Sequence, residues 1–233
     1  MQTGETPDRS TLVLLPVKRL SGAKMRLAGL LSQDERCALV LAMLGDVLDA
    51  VRSAGLIPRV LTPDPDVLSF AGAAALRQHH GVRTLNDALT RALHEEGLSA
   101  LSALVLLPDT PLATADEVRA LVSRRHVASP KAAGPGEDAS EPWLAMATDR
   151  AGRGTNALYL NPPSAIPMSF GRGSLARHLK AAAETGVRAR IEELQGLALD
   201  IDTPSDVSEL LARPGETRTH RLLRELRAGD RLP

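Results

Sequence analysis

The sequence predicts a single-domain α/β protein in which a mostly parallel sheet is flanked by helices. Apolar runs of strand length lie at residues 11–17, 57–62 and 103–107. Between them, residues 33–51 and 86–93 carry apolar side chains at the spacing of a helix packed on one face. Because parallel strands need a crossover between them, this alternation indicates a doubly wound sheet with functional residues on loops at the carboxyl ends of its strands.

The first helix is marked at both ends by capping signals. Ser32 and Glu35 have the spacing of a capping box, and Gly55 stops the apolar pattern. A later helix is predicted from Thr114, as its N-cap, through residue 121. The other predicted elements are strands at residues 73–78, 143–147, 155–160 and 197–201, and helices at residues 175–183, 206–212 and 219–228.

One domain accounts for the length of the chain. The 233 residues are enough for one large domain with a substantial core. We assign residues 11–233 to this domain and the polar residues 1–10 to a flexible tail. Residues 124–142 combine proline and glycine with charged side chains, which predicts an exposed connection.

Composition argues against several classes of function. Lys plus Arg and Asp plus Glu both total 28, so no net field draws the chain to nucleic acid or an anionic membrane. One Trp, one Tyr and two Phe do not supply the aromatic faces of a groove for single-stranded nucleic acid. No apolar run is long enough to span a bilayer and residues 1–10 do not resemble a secretion signal, so we expect a cytoplasmic protein. The single cysteine, Cys37, is predicted to lie in the core, and the histidines lack zinc-site spacing.

Three aspartates are candidates for a metal site. Asp200 and Asp202 stand at the end of the predicted strand at residues 197–201, and the two-residue period of a strand places both carboxylates on one side. Asp109 follows another strand, and a parallel sheet gathers such residues at one edge. Carboxylate oxygens suit Mg²⁺, which completes its shell with water and substrate phosphates. In a competing interpretation, Asp109 and Asp202, each followed by Thr-Pro, are helix caps.

Two glycine-bearing loops have the composition of anion sites. They are Gly-Arg-Gly-Thr-Asn at residues 152–156 and Gly-Arg-Gly-Ser at residues 171–174, directly before a predicted helix. Glycine lets backbone N–H groups approach a phosphate, and a helix N-terminus carries a partial positive charge. Thr155 and Ser174 can add hydroxyl donors. Turn and N-cap roles are the commoner explanation for any single glycine or serine, and the combination of the two loops is more specific than either loop alone.

Basic side chains follow the first predicted strand. Lys18, Lys24 and Arg26 lie where many α/β folds bind a triphosphate. The segment lacks the G-x-x-x-x-G-K-[ST] pattern of a Walker A loop, so a basic surface loop is the competing interpretation. The neighbouring aspartates and glycine loops favour phosphate binding.

Taken together, these segments resemble the guanylyltransferases that activate phosphoenolpyruvate or 2-phospho-L-lactate in biosynthesis of the deazaflavin coenzyme F-420. The resemblance covers nearly the whole chain. It is carried by six ordered motifs, namely Leu15-Pro16-Val17-Lys18 with Ala23-Lys24-Met25-Arg26-Leu27, Leu85-Asn86-Asp87-Ala88-Leu89, Asp109-Thr110-Pro111-Leu112, Gly154-Thr155-Asn156-Ala157-Leu158, Phe170-Gly171-Arg172-Gly173-Ser174 and Leu199-Asp200-Ile201-Asp202-Thr203-Pro204.

The resemblance implies a nucleotide-diphospho-sugar transferase fold, similar to that of the molybdenum-cofactor guanylyltransferases, and a set of site residues. The residues that match the metal-binding and catalytic aspartates are Asp109, Asp200 and Asp202. Those that match the residues holding the phosphorylated acid are Thr155, Gly171 and Ser174. By position alone, Lys24 and Arg26 are assigned to the phosphates of the nucleotide and Asn86 to its base or ribose. One departure is Pro-Asp-Thr-Pro at residues 108–111, where the family often has an Ala-Asp-Leu-Pro-like stretch.

The implied reaction is a guanylyl transfer. A phosphate oxygen of the acid attacks the α-phosphorus of GTP and pyrophosphate leaves, while Mg²⁺ neutralises the developing charge. With phosphoenolpyruvate the product is enolpyruvyl-diphospho-5'-guanosine. Few lysines beside many arginines and alanines suggest a GC-rich bacterial genome, which favours phosphoenolpyruvate over 2-phospho-L-lactate or 3-phosphoglycerate.

Other functions are compatible with the same residues. They are nucleotidyl transfer to a sugar phosphate or pterin cofactor, metal-dependent glycosyl transfer at the Asp-x-Asp pair, and GTP sensing without catalysis. Four arginines lie on or near one face of the last predicted helix, which is therefore a candidate contact for a homodimer or an acidic partner: Arg218, Arg221, Arg224 and Arg227.

Overall fold

The molecule is built around a central sheet with helices on both faces. The computed structural model describes residues 8–79, 81–96, 100–123 and 141–232. The strands are β1 (Asp8–Pro16), β2 (Leu56–Thr62), β3 (Ala75–Arg77), β4 (Ser102–Leu106), β5 (Trp143–Thr148), β6 (Thr155–Asn161) and β7 (Arg188–Glu192). The helices are α1 (Gln33–Ser53), α2 (Pro65–Ala71), α3 (Leu85–Glu96), α4 (Ala115–Val122), α5 (Ser174–Thr185), α6 (Gln195–Ala198), α7 (Pro204–Ala212) and α8 (Arg218–Glu225).

The seven strands lie in the order β3-β2-β1-β4-β6-β5-β7. β1 is parallel to both of its neighbours, β2 and β4, and β3 continues the parallel part of the sheet. β6 is antiparallel to β4 and β5, while β7 is parallel to β5. Among the strands that the structure describes, β6 alone therefore runs against the others, which confirms the predicted mostly parallel sheet. The carboxyl ends of β1 and β4 lie side by side, and the loops that follow them share one edge.

The two-residue period of β1 divides its side chains between two cores. Val13 and Leu15 are buried on the side covered by α1, α4, α7 and α8, whereas Leu14 is buried on the side covered by α3 and α5. Because both faces of the sheet are covered, its inner strands read as continuous apolar runs. Burial of each such side chain stabilises the fold by about 1.5–3 kcal/mol.

Two helices begin at the caps that the sequence predicts. At α1, the Ser32 hydroxyl accepts a hydrogen bond from the Glu35 N–H, and the Glu35 carboxylate accepts one from the Ser32 N–H. Gly55, with φ of +82°, follows the end of this helix. At α4, Thr114 and Glu117 form a second capping box. The predicted start and stop signals of α1 are therefore confirmed.

The strand predicted at residues 197–201 is wrong. The segment begins inside the short helix α6 and continues through Leu199 and Ile201 as backbone that is not part of the sheet. Its apolar side chains are buried, so the pattern reports burial in the core rather than strand pairing. The last strand is β7, whose alternating, half-exposed side chains do not form an apolar run.

Three other features differ from the sequence-based expectations or go beyond them. β1 begins at Asp8 and takes in the end of the segment predicted as a tail, while residues 1–7 lie outside the described residues. The apolar pattern does not predict α2, which is capped by the Asp64 side chain. Most of the connection predicted at residues 124–142 lies outside the described residues, which resume at residue 141.

Two further predictions concern the burial of Cys37 and the lack of a segment that could span a membrane. Cys37 is partly buried and packs against the core, as predicted. Within the described ranges, no helix is both long enough and apolar enough to cross a membrane. A cytoplasmic location stays a prediction.

The arginines of α8 make contacts within the chain. Arg218 Nη2 lies 2.6 Å from Asp49 Oδ2 on α1. Arg224 Nη1 lies 2.8 Å from Glu216 Oε1. The first contact ties α8 to α1, and the second links the helix to the segment directly before it. A homodimer formed through this helix stays a prediction.

Candidate active site

A lysine and two aspartates meet at the carboxyl edge of the sheet. Asp109 follows β4, and Asp202 precedes Thr203, the N-cap of α7. Lys24 lies in the loop after β1, with φ of +48° in the left-handed region. Its Nζ atom is 2.7 Å from Asp109 Oδ2 and 2.7 Å from Asp202 Oδ1. The fold thus brings together side chains from three distant parts of the chain.

Lys24 remains charged although it is nearly enclosed. Only 10% of its side chain is exposed. Burial by itself lowers the pKa of the ammonium, but the carboxylates of Asp109 and Asp202 outweigh burial, and the net effect is a raised pKa. Arg26 adds a weaker contact, since its Nη1 lies 3.9 Å from Asp202 Oδ2 and 74% of its side chain is exposed.

Asp200 lies in the same cleft as Asp202. Leu199 and Ile201 are buried, so the predicted alternation holds although the segment is not a strand. The Ile201 N–H donates to the Asp109 carbonyl at 3.0 Å, which ties the two carboxylate-bearing segments together. Burial, followed by the charges of Asp109 and Asp202, raises the pKa of Asp200.

Asn156 supports this segment. Its Nδ2 donates to the Leu197 carbonyl at 2.9 Å and lies 3.4 Å from Asp200 Oδ1. The side chain is buried at the start of β6. The sequence pattern gave Asn156 no role of its own, because the segment that it holds is more than forty positions away.

The oxygen atoms of this cluster fit a divalent cation. Asp109 Oδ1 is buried and has no hydrogen-bond partner among the described residues, which is unusual for a carboxylate oxygen. Such an atom can serve as a ligand of Mg²⁺. In the described parts of the chain, however, no three Asp, Glu, His or Cys side chains already form a metal-binding group. The Lys24 ammonium bridges two of the carboxylates instead.

The interpretation of the aspartates as helix caps is wrong. The hydroxyl of Thr203, not the carboxylate of Asp202, caps α7 by accepting the N–H of Asp206. Asp109 lies several residues before α4, which is capped by Thr114. Both carboxylates are therefore available to other partners.

A cleft of about 900 Å³ adjoins the aspartates. The two glycine-bearing loops predicted as anion sites line it, together with Thr155 and the two carboxylates of the Asp-x-Asp pair. Gly171 and Gly173 have φ of +113° and +71°, which favour glycine. Helix α5 begins directly afterwards at Ser174, so the positive end of its dipole lies at this cleft.

Hydrogen bonds with neutral and charged side chains hold the loop that carries these glycines. The Ser169 N–H donates to His178 Nε2 at 3.1 Å, and His178 Nδ1 lies 3.1 Å from Thr155 Oγ1. Asn86 Oδ1 accepts the Phe170 N–H at 2.7 Å, and Asn86 Nδ2 donates to the Phe170 carbonyl at 3.2 Å. Asn86 is not among the described residues that line the cleft, and its contact with base or ribose stays a prediction.

The sequence pattern did not single out His178. Burial, with a smaller effect of Arg177, lowers the pKa of His178 to about 4, so the ring is neutral at pH 7. One signal could have identified it. Ser174, His178 and Ala182 recur at helical spacing and are buried, which places a histidine on the inner face of α5.

A smaller cleft of about 340 Å³ lies next to the larger one. Lys18, Lys24, Asp109 and Asp202 line it, and Lys18 and Asp202 line both clefts. The carboxylates therefore lie at the junction of two neighbouring clefts. Arg26 lines the larger cleft.

Carboxylates at a sheet edge, a buried lysine beside them and glycine loops at a helix N-terminus make a site for phosphate-bearing substrates on a mostly parallel sheet. The fold and site define a nucleotidyltransferase. The chain belongs to the family of CofC-like guanylyl transferases, which matches residues 11–230.

Known proteins agree with this assignment. The chain is 45% identical over 208 residues to the phosphoenolpyruvate guanylyltransferase of Sphaerobacter thermophilus, covering 86% of this chain and 92% of that protein. It is 32% identical over 221 residues to the 2-phospho-L-lactate guanylyltransferase of Methanothermobacter thermautotrophicus, covering 93% and 91%. A solved structure described as a nucleotide-diphospho-sugar transferase of Desulfovibrio desulfuricans G20 has a TM-score of 0.71 at 14% identity, covering 94% and 96%. The last similarity concerns the fold alone. The predicted fold class and family resemblance are confirmed.

Proposed function

We propose that the chain transfers GMP from GTP to phosphoenolpyruvate, giving enolpyruvyl-diphospho-5'-guanosine and pyrophosphate in biosynthesis of coenzyme F-420. The observation that carries this proposal is the carboxylate junction at Asp109, Asp200 and Asp202, where a cleft with glycine loops adjoins a cleft with two lysines. Two phosphate-bearing substrates can lie on either side of such a junction. The relative at 45% identity is named for the same activity.

The smaller cleft is the proposed site of GTP. Lys18 and Lys24 line it, and Arg26 lies close to its boundary at Asp202, so positive charge is available for the triphosphate. Val40 and Met43 of α1 give the cleft an apolar wall, against which a purine ring can pack. The larger cleft is then left for the acceptor.

The phosphorylated acid is proposed to bind at Thr155, Gly171 and Ser174. All three line the larger cleft. Hydroxyl and backbone donors, together with the N-terminus of α5, suit a ligand that carries both a phosphate and a carboxylate. The buried positions of Thr155 and Ser174 give these hydroxyls fixed surroundings.

Mg²⁺ is the proposed cofactor, with Asp109, Asp200 and Asp202 as its ligands. When bound, it supplies positive charge that neutralises the phosphates of both substrates. Two observations support it. Asp109 Oδ1 lacks a partner among the described residues, and burial with two neighbouring carboxylates raises the pKa of Asp200. Burial and the neighbouring carboxylates both disfavour the charge of Asp200, and a bound cation would stabilise it.

No protein nucleophile is needed in the proposed reaction. The second pKa of a phosphate monoester is near 6, so the acid is largely a dianion at pH 7. One of its oxygens forms a bond to the α-phosphorus of GTP. The bond from that phosphorus to the bridging oxygen breaks, and the electron pair leaves with pyrophosphate. The residues of the two clefts bind and orient the substrates for this in-line displacement.

Two other acids fit the same donors, namely 2-phospho-L-lactate and 3-phosphoglycerate. A relative at 32% identity is named for 2-phospho-L-lactate. The higher identity to a protein named for phosphoenolpyruvate supports that acid as the acceptor. Membership of a guanylyl transferase family argues against glycosyl transfer and against a GTP-sensing module without catalysis.

Pyrophosphate release tests the proposal. GTP, ATP and CTP are each supplied with Mg²⁺ and with one of the three acids, or with none. We expect rapid release with GTP and phosphoenolpyruvate, and background release without an acid. If pyrophosphate is released with GTP and 2-phospho-L-lactate but not with phosphoenolpyruvate, 2-phospho-L-lactate is the acceptor. GTP binding without release from any acid would overturn the proposed reaction.

A further inference from the structure

His178 lies between the two segments that line the acid side of the larger cleft. The residue belongs to α5 and is fully buried. Its Nδ1 lies 3.1 Å from Thr155 Oγ1 at the start of β6, and its Nε2 accepts the N–H of Ser169 at 3.1 Å. Ser169 precedes the glycine loop at residues 171–174. One imidazole ring therefore joins both segments.

The contact with Ser169 determines which ring nitrogen carries the proton. A backbone N–H can only donate, so Nε2 must accept and carries no hydrogen. A neutral imidazole with a bare Nε2 has its hydrogen on Nδ1. Protonation of both nitrogens would set two donors against each other at Ser169. Burial acts in the same direction, since it holds the pKa of His178 at about 4.

This tautomer determines the orientation of the Thr155 hydroxyl. Nδ1–H donates to Thr155 Oγ1, so the hydroxyl hydrogen of Thr155 is directed away from the ring. Thr155 lines the larger cleft, where a hydroxyl donor attracts a phosphate or carboxylate oxygen. With the opposite tautomer, Thr155 would donate to His178 and present lone pairs to the anion.

We propose that His178 is a positioning residue that fixes the Thr155 hydroxyl as a hydrogen-bond donor to the phosphorylated acid. This inference rests on the proposed function, because it takes the acid to bind at Thr155. His178 does not line the described clefts and does not touch the substrate. Its effect is therefore specific for the acid and does not extend to GTP.

Two substitutions separate the contacts of the ring. His178→Asn places an amide nitrogen near the position of Nδ1 and keeps the donor to Thr155. His178→Gln reaches the position of Nε2 and keeps a partner for Ser169, but it removes the donor to Thr155. We expect the KM for the acid to rise no more than severalfold with Asn, which leaves the Ser169 N–H without its partner, and about tenfold with Gln, while the KM for GTP is unchanged in both.

Thr155→Val completes a double-mutant cycle. The substitution removes the hydroxyl and keeps the shape of the side chain, so His178→Gln should then add no further rise in the KM for the acid. An additional tenfold rise in the Thr155→Val background would overturn the inference. An equal rise in the KM for GTP would overturn it too, because it would indicate a general loss of structure.

A spectroscopic test does not depend on turnover. Long-range ¹H–¹⁵N NMR of the wild-type protein reports the protonated nitrogen of each histidine, with His178→Asn used to assign the signal. We expect hydrogen on Nδ1 from pH 6 to 8, and hydrogen on Nε2 would contradict the inference even if His178→Gln does not fold. A wild-type protein that turns over no acid would overturn the proposed function and the acid contact with it. An active wild-type protein with an additive cycle would overturn the role of His178 alone.

Discussion

The two sides of the cleft are held by different kinds of interaction. At Asp109 and Asp202 the contacts are ionic, and Lys24 reaches these carboxylates across 85 and 178 positions of the chain. At Ser169 and Phe170 the contacts are hydrogen bonds between the loop backbone and side chains of α3 and α5. The two N–H groups donate to the neutral side chains of His178 and Asn86, and the Arg177 guanidinium donates to the Ser169 carbonyl. Ion pairs between side chains thus hold the carboxylate side, whereas hydrogen bonds to the backbone hold the loop on the acid side.

This difference indicates which side is complete before the substrates bind. Several hydrogen bonds hold the acid loop in one conformation, so little order has to be gained when the acid binds. On the ionic side, Asp109 Oδ1 has no partner within the part of the chain that the structure describes. The pKa of Asp200 is raised there, because burial and the neighbouring carboxylates disfavour the charge. The acid side is preorganised, and the proposed cation completes the carboxylate side.

The largest effect is expected on the ionic side. Asp202→Asn removes a proposed metal ligand and a partner of Lys24, so kcat should fall by about 100-fold or more, the scale of losing one electrostatic contact to the reacting phosphates. Steady-state kinetics with matched melting curves measures this loss. Asp116→Asn is the control, because that side chain is 90% exposed and pairs with Arg119 on its own helix, away from the carboxylate cluster. Full turnover by folded Asp202→Asn would contradict the proposal that Asp202 is a ligand of the metal.

On the acid side, the buried His178 predicts a pH dependence of the free energy of unfolding. The pKa of His178 is about 4 in the folded protein and near its ordinary value of 6.5 in the unfolded chain. The unfolded chain therefore binds the proton more readily, and stability falls as the pH is lowered from 6.5 toward 4. Between pH 7.5 and 5 this group should remove about 2 kcal/mol of unfolding free energy.

Urea unfolding at pH 5, 6 and 7.5 measures this dependence. His178→Asn lacks the titrating ring, so its unfolding free energy should change less with pH than that of the wild type. An equal change of unfolding free energy with pH in the two proteins would show that His178 is not held as a neutral ring in the folded protein.

A smaller and acid-specific effect is expected at the start of α5. Ser174→Ala removes a hydroxyl at the proposed acid site, so the KM for the acid should rise about tenfold while the KM for GTP is unchanged, since a hydrogen bond to a charged group is worth about 1.5–3 kcal/mol. Ser164→Ala is the control, because Ser164 is exposed and lies outside the described lining of both clefts. A rise in the KM for GTP instead of the KM for the acid would indicate that the nucleotide binds in the larger cleft.

The smallest effect is expected at Asn86. Asn86→Ala frees Phe170, and we expect a severalfold rise in the KM for the acid through loosening of the loop. Asn86→Asp should have an intermediate effect, because it keeps the acceptor for the Phe170 N–H. Steady-state kinetics with each substrate varied in turn measures both. A rise confined to GTP would instead support the sequence-based assignment of Asn86 to base or ribose.

The sequence predicted those parts of the fold whose local pattern matches their environment. Residues 13–15 of β1 and residues 103–106 of β4 are buried on both faces of the sheet, so these parts of the strands appear as uninterrupted apolar runs. β7 lies at the sheet edge with half-exposed side chains, and its pattern carries no such signal. The segment at residues 197–201 is apolar because it is buried, and apolar periodicity does not report which segments pair.

The candidate site divides in the same way. Asp109, Asp200 and Lys24 can be selected from the sequence because their chemistry suggests a role wherever the fold places them. His178 and Asn156 act through partners that are distant in sequence, at 23 and 41 positions for the hydrogen bonds to Thr155 and to the Leu197 carbonyl. Such roles depend on tertiary distances, which the local pattern does not contain.

The most direct test of the central claim is ³¹P NMR of a mixture of the protein, Mg²⁺, GTP and phosphoenolpyruvate. If the chain joins GMP to the acid, the phosphoenolpyruvate signal will be replaced by two coupled diphosphate signals, with an equal amount of pyrophosphate. Formation of GDP and inorganic phosphate, or unchanged GTP beside unchanged phosphoenolpyruvate, would contradict guanylyl transfer to this acid.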